Sequence, residues 1–301
     1  MFDFKVYAFA ALAALAMPGL AIAEEFKALF PEIAADAEAA DFIGLLDKLD
    51  YQTGTVTLQN GIATLEQGDA FYFLGPKDAR YVLEDLWGNP EDTTILGMVF
   101  PIDATPLHDT WGMVLTFEEI GFVKDEDAEA YDYAALLKDM QADTEAENSF
   151  RLQNGYESIK LVGWAEPPHY DKTDRKLYWA KELSFNGSTG DDNTLNYNIR
   201  ALGRKGVLVM NVVSGMGQLG EVQTDAPKLL AMTSFTEGNR YADFNPDIDT
   251  VAAVGIGGLI AGKVLAKTGL IATGLLLLKK FWFLLLIPLA GLKRLFARKE
   301  S

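Results

Sequence analysis

Two histidines, each close to a carboxylate, are the side chains of this sequence best suited to proton transfer. His169 lies in GWAEPPHYDK, with Glu166 three residues before it and Asp171 two after. A histidine oriented by a carboxylate can serve as a general base, so His169, Asp171 and Glu166 are the catalytic candidates for a hydrolase. His108, in PLHDTWG, has Asp109 beside it and offers the same chemistry. Neither is accompanied by a G-x-S-x-G nucleophile turn, and prolines next to a histidine argue for a loop. With no cysteine in the chain, thiol catalysis, disulfides and thiolate metal sites are excluded.

Other patterns are weaker. GMGQLG places glycines at 215, 217 and 220 after an apolar run, the spacing of a dinucleotide-binding turn. No parallel strand-helix-strand unit follows it, and Glu221 and Asp225 would repel a pyrophosphate, so no cofactor is expected. The acids of KDEDAEA, residues 124–130, and of GSTGDDNTLN, residues 187–196, lack the ligand spacing of a calcium loop, and no metal is expected either. Trp164, Tyr170, Tyr178 and Trp179 could line a cleft for a peptide or glycan, although aromatic residues at strand spacing also build cores.

The elements that must carry these residues follow from the change of hydrophobic period along the chain. Glu24 to Asp50 has helical spacing, broken near Pro31. Residues 54–66 read as a hairpin turning at Asn60-Gly61. Pro76 opens a helix that Gly88 ends. Strands are expected over 94–100 and 111–117, a helix over 131–147, four strands over 159–164, 176–185, 194–202 and 206–213, and a short helix over 225–235. Short links between the later strands favour antiparallel pairing, so the fold class is α+β, mostly antiparallel sheet with flanking helices.

The two ends of the chain differ from this body. Residues 1–23 run from Lys5 through an apolar stretch to Pro18-Gly19 and Ala21-x-Ala23, the order of a secretory signal cleaved before Glu24. Residues 24–249 hold 41 acidic and 17 basic residues, whereas residues 250–301 hold eight basic residues against Glu300 alone. So acidic a body excludes nucleic acid as a partner.

The C-terminal part suits a bilayer. Residues 268–292 give 25 positions, more than the about 20 that a span needs. The anchoring side chains are Leu275, Leu276, Leu277, Leu278, Phe281, Trp282, Phe283 and Leu284. Lys279-Lys280 interrupts them, and the cost of two central lysines nearly cancels the apolar gain. A tilted span over 268–292, a span over 251–278 ending at the two lysines, or a pair of helices would each relieve that cost. The small residues at Gly258 and Gly262 allow close helix packing and hence a homo-oligomer. Residues 250–292 are therefore expected as anchor and 293–301 as a basic cytoplasmic tail, with the main domain in the periplasm and the anchor in the inner membrane.

Four phrases carry a family resemblance: WGMVLTFEEIGFVKDEDA at 111–128, NGYESIKLVGWAEPPHYDKTDRKLYWA at 154–180, LNYNIRALGRKGVLVMNVV at 195–213 and GNRYADFNPDIDTVAAVGIGGLIAGKVLAKTG at 238–269. In these the chain resembles a bacterial family of uncharacterised membrane-anchored proteins, defined as a domain of unknown function. The resemblance implies export and anchoring and carries over no catalytic residue. The expectation is a noncatalytic binding or scaffolding module of the cell envelope, with an envelope protein as partner; the alternative is an envelope hydrolase using the His169 region.

Overall fold

The computed structural model describes residues 21–262, apart from 36–39, 59–60, 90, 129–130 and 154. The expected signal peptide up to residue 20, the spans reaching to 278 and 292 and the basic tail lie outside these residues. Among the described residues no helix is long and apolar enough to cross a membrane.

Nine strands form one sheet in which every neighbouring pair is antiparallel, in the order β1-β2-β5-β6-β7-β11-β10-β9-β8. The strands are β1 (Ile22–Glu24), β2 (Tyr51–Thr53), β5 (Phe71–Leu74), β6 (Ile95–Pro101), β7 (Gly112–Glu118), β8 (Ile159–Asp171), β9 (Lys176–Phe185), β10 (Thr194–Leu202) and β11 (Val207–Gly215). A second sheet, ordered β12-β4-β3, joins β12 (Thr233–Phe235) to the hairpin of β3 (Thr55–Thr57) and β4 (Ala63–Glu66). That hairpin is the one expected at 54–66, with Thr55 opposite Glu66 and Gly61 at the positive φ of 66° that the turn requires.

Helices cover both faces of the large sheet. On the first face, α6 (Leu219–Ala231) and the small sheet bury Val222, Ala226, Leu229, Val56 and Leu65 against Trp111, Tyr197, Ile199 and Met210. On the second face, one half is covered by α1 (Phe26–Leu29), α2 (Pro31–Ala35), α3 (Ala40–Leu46) and α4 (Pro76–Arg80), the last continuing as a π-helical turn through Leu86. The other half is covered by α5 (Tyr133–Gln153) and α7 (Ile256–Ala261). With both faces covered, β11 reads as the near-continuous apolar run VLVMNVV rather than as an alternation.

Three expectations are corrected. The helix expected over 225–235 begins earlier, because Met216–Gln218 forms a 3-10 turn leading into α6, and Thr233–Phe235 is strand. The glycines at 215, 217 and 220 thus lie at a helix start. The strand expected over 159–164 continues to Asp171 through Pro167-Pro168. β8 is the last strand of the sheet, so its prolines face no partner on the outer side. His169 consequently sits in an edge strand and not in a loop. The expected helical stretch 24–50 is three short helices, followed by β2, which pairs with β5.

The segment after Asp249 joins the body. Thr250 accepts the Phe122 N–H at 2.8 Å, and Ala252 donates to the Phe122 carbonyl at 2.8 Å. Gly121 permits this approach, since a Cβ there would lie 2.6 Å from the Thr250 carbonyl oxygen. Val254, Ile256, Leu259 and Ile260 then bury against Leu177, Leu202 and Val207. The stretch 250–262, assigned to the anchor from its composition, packs on the second face of the sheet; a span beginning at 251 would have to strip these residues from that core. Gly258 lies within α7, and Gly262 ends it with a left-handed φ of 67°.

Candidate functional site

Side-chain alternation divides the expected cluster in two. Register places Glu166 opposite Ala180, His169 opposite Tyr178 and Asp171 opposite Lys176, all on the α6 face. Trp164 lies opposite Lys181 and Tyr170 opposite Leu177, on the α5 face. Irregularities between Trp164 and Glu166 and between Glu166 and His169 adjust the phase along the edge strand. Of the four aromatic candidates for a cleft, Trp164, Tyr170 and Trp179 share one face, and Tyr178 points to the other.

On the α6 face, His169 is exposed and its ring lies 5.1 Å from that of Tyr178. Asp171 does not orient it by a hydrogen bond. Its Oδ1 accepts the N–H groups of Thr173 at 2.7 Å and Asp174 at 3.0 Å, and these two bonds, first among the causes, hold the carboxyl below its usual range. The aspartate therefore closes the β8–β9 turn. Glu166 accepts from the Tyr197 hydroxyl at 3.4 Å and from the Gln223 amide at 3.4 Å, which links the edge strand to β10 and α6. Lys176, 8% exposed, donates to the carbonyls of Leu230 and Thr233 and so fastens the C-terminal end of α6. His108 Nδ1 accepts the Thr105 N–H at 3.0 Å, in a separate turn.

A second polar group was not singled out from the sequence. Asp125 accepts hydrogen bonds from Tyr170 at 2.7 Å and Tyr241 at 3.1 Å and pairs with Arg175, whose guanidinium lies 4.6 Å from the Tyr241 ring. Burial pushes the Asp125 carboxyl up, but the two hydroxyls and the guanidinium together outweigh it and hold the group below its usual range. Asp125 thus joins three separate stretches of chain: the segment after β7, the β8–β9 turn and the segment around Tyr241. Arg204 and Asp249, 2.7 Å apart, pin the end of the last segment.

A further group of polar side chains lies on the α5 face of β9, β10 and β11. Three cross-strand rows bring together Lys181 and Asn196, then Trp179, Asn198 and Asn211, then Arg200 and Val209. Arg200 donates to Asn211 Oδ1 at 3.1 Å and to Asn198 Oδ1 at 3.4 Å; Asn198 Nδ2 donates in turn to Asn196 Oδ1 at 2.9 Å. The relay stops there. Asn196 Nδ2 and Trp179 Nε1, in residues that are each 1% exposed, have no hydrogen-bond partner among the described residues.

Burial pushes the Lys181 ammonium down to about 8, and Arg200 adds repulsion. Burial likewise pushes Arg200 down to about 10, with Glu118 opposing. Beside Lys181 a cavity of about 70 Å³ is lined by Met140, Thr144, Glu147, Arg151, Ile159, Leu161 and Leu183. Glu147 is pushed up by burial and by Asp143, with Arg151 opposing. Of the polar groups of these rows, Lys181 lines this cavity, together with Glu147 and Arg151 of α5.

Nothing comparable forms for a metal: among the described residues no three histidine, aspartate or glutamate side chains are grouped to hold one. Of the acids at 124–130, Asp125 is taken up as above and Asp127 accepts the Ile256 N–H at the start of α7 at 3.2 Å. The membrane candidates Leu275 to Leu278, Phe281, Trp282, Phe283 and Leu284 lie outside the described residues.

No curated protein matches the chain. Among solved structures, the solution structure of cyanobacterial PsbP (CyanoP) from Synechocystis sp. PCC 6803 is similar at 6% identity, with 60% of this chain and 91% of that chain covered and a TM-score of 0.35. The family described as "Protein of unknown function (DUF2167)" matches over residues 50–290, which take in both faces of the sheet and the donor cluster, and the chain belongs to that family.

Proposed function

We propose that the protein is a noncatalytic binding module of the bacterial cell envelope, exported by its first 23 residues and held at the periplasmic face of the inner membrane by its C-terminal segment. One observation carries the binding reading. Of the side chains that could have made a hydrolase, Asp171 is engaged in the β8–β9 turn and Glu166 with Tyr197 and Gln223, whereas Asn196 Nδ2 and Trp179 Nε1, two buried donors on the face that carries Lys181, have no partner among the described residues. A general base needs an oriented imidazole beside a reacting group. His169 is exposed at the sheet edge, and its neighbouring aspartate is occupied in a turn.

The tether rests on the contrast between an acidic body and the apolar, basic stretch 268–301. Cell fractionation tests it. The full chain is expected in the membrane pellet after high-salt washing, with its body digested by protease added outside spheroplasts. Recovery as a soluble cytosolic protein that retains Met1 would refute the tether.

Replacing His169 by Ala tests the absence of catalysis. The variant is expected to leave unchanged both the cellular phenotype of a deletion complemented with this chain and the proteins crosslinked to it in intact cells. Loss of complementation by a His169→Ala protein that accumulates normally would turn the assignment to a hydrolase.

A further inference from the structure

We propose that Gln141 and Asn148 of α5 stand in for a further strand along β8 and so keep this edge of the large sheet from pairing with a second copy of the chain. β8 is the last strand in the order, so the backbone groups on its outer side meet no strand among the described residues. An open edge of this kind pairs readily with another extended chain. Here its first part is already occupied. Asn148 Oδ1 accepts the Ile159 N–H at 2.8 Å, and Asn148 Nδ2 donates to the Ile159 carbonyl at 2.9 Å. One side-chain amide thus reproduces the exchange of two hydrogen bonds that a directly opposite residue makes in an antiparallel pair. Gln141 Nε2 donates to the carbonyls of Leu161 at 3.2 Å and Val162 at 3.0 Å.

The spacing of the two amides matches the strand. Two turns apart in sequence, they lie on one face of the helix, about 10 Å from each other along its axis. Ile159 and Val162 are separated by about 10 Å at the rise of a strand. The helix therefore runs along the edge in the opposite sense to β8, with Gln141 at Val162 and Asn148 at Ile159. Arg151, one turn further on the same face, donates from Nε to the Glu157 carbonyl at 2.7 Å and extends the contact into the link before the strand.

This half of α5 is held by hydrogen bonds more than by a core. Its apolar contacts come from the first turns, where Tyr133, Leu136, Leu137 and Met140 pack on the sheet. Beyond Met140 the helix buries Arg151, and its other side chains are half-buried or exposed. A cavity of about 70 Å³ remains between Thr144, Glu147 and Arg151 on the helix and Ile159, Leu161 and Leu183 on the strands. Loose packing of this kind leaves the amides as the groups that fix the helix to the edge.

The rest of the edge is closed by other means. Register shifts between Leu161 and Gly163, between Trp164 and Glu166 and between Glu166 and His169 break the regular row of backbone groups. Pro167 and Pro168 supply no N–H. Lys160, exposed between the clamped positions, would meet the same charge on a second copy. The inference is independent of the binding-module reading and adds to it that a partner strand is not taken up here.

Two measurements on the full chain in neutral detergent test the proposal. Hydrogen exchange reads the clamp. Asn148→Ala is expected to speed exchange of the Ile159 amide about fivefold or more, the worth of one net hydrogen bond, and to leave β10 and β11 protected. Asn148→Asp keeps the acceptor oxygen and is expected to keep that amide slow. Crosslinking reads the consequence. The chain has no cysteine, so Val162→Cys, at an exposed position on the edge, offers a single attachment point to a bismaleimide reagent. Adding Gln141→Ala and Asn148→Ala to it is expected to raise the yield of crosslinked dimer several-fold, increasingly so at higher protein concentration. Asn148→Ala alone is crosslinked in parallel, so that the comparison survives a double variant that fails to fold.

Unchanged exchange at Ile159 in Asn148→Ala, or fast exchange in Asn148→Asp, would show that the amide does not hold the strand. Equal dimer yields with and without the amides, in variants whose β10 and β11 stay protected, would show that the edge needs no such cover. Either result overturns the proposal.

Discussion

Replacing Lys181 by Met is expected to stabilise the ligand-free protein by about 2–3 kcal/mol at pH 7, the reverse of what most buried substitutions do. The ammonium is held down to about 8 from 10.5, a difference worth about 1.4 kcal/mol per pH unit. Methionine matches the length of the stem and needs no hydration. The pH dependence identifies the cause. Between about pH 8 and 10.5 the folded chain has released the Lys181 proton while the unfolded chain keeps it, so wild-type stability gains with rising pH across that window. Below it both states carry the proton and the penalty is constant.

In Lys181→Met that gain should vanish, and the two proteins should converge towards the upper end of the window. Urea unfolding at several pH values measures both quantities. Arg200 on β10 and Glu147 and Arg151 on α5 are the charged neighbours whose own titration must be common to both proteins for the comparison to hold. A destabilised variant, or an unchanged slope, would mean that Lys181 is already matched by a negative group in the protein. A protein that gains stability by losing a residue commonly keeps that residue for function.

The second large effect is expected at the opposite corner of the same face. Asp125→Ala should destabilise the protein by about 2–4 kcal/mol, because it leaves Arg175 and two tyrosine hydroxyls without their shared acceptor. The effect is smaller than for a fully buried pair, since the Arg175 side chain is 33% exposed and solvent screens it. Asp125→Asn retains size and one acceptor oxygen and should lose less. The sign with pH is opposite to that of Lys181. A carboxyl held below its unfolded value stabilises above that value, and this stabilisation is lost as pH falls through the folded one. Asp125→Ala should therefore unfold in acid with a shallower slope than the wild type. An equal slope would show that the carboxylate is not held by these donors.

The two groups differ in how far their polar atoms are satisfied as well as in sign. The Asp125 group is internally satisfied: each donor has its acceptor, and what it accomplishes is to fix the β8–β9 turn against the segment that leads into α7. The cluster around Lys181 is internally incomplete. Among the described residues Asn196 Nδ2 and Trp179 Nε1 have no acceptor.

Much of the fold was legible from the sequence. The strands expected at 176–185 and 194–202 have the observed limits of β9 and β10, and Asn60-Gly61 placed the β3–β4 hairpin. Pro76 opens α4, and Gly88, at a φ of 72°, follows its end. Such features depend on neighbours a few residues apart: a turn geometry, a missing N–H, an alternation. The helix start at Met216–Gln218 was hidden because glycine signals a turn and a helix entry equally well.

The sites were less legible, for a physical reason. GWAEPPHYDK reads as one cluster only while its residues are counted along the chain; a strand sends successive side chains to opposite faces, and the edge position and its irregularities decide which residues go together. β10 misleads in the other direction. In LNYNIRAL the polar residues Asn196, Asn198 and Arg200 alternate with Leu195, Tyr197, Ile199 and Ala201, the pattern of a strand with one solvated face. Yet Asn196 is 1% exposed and Asn198 3%. Sequence by itself determined the α+β class, the antiparallel order of the later strands and the charge contrast between body and C-terminal segment, because periodicity and composition are local or additive properties. Only the tertiary structure decided that these amides are withdrawn from water and that Lys181 is partly so, because burial depends on which distant strands flank a residue, and no spacing along β10 records them.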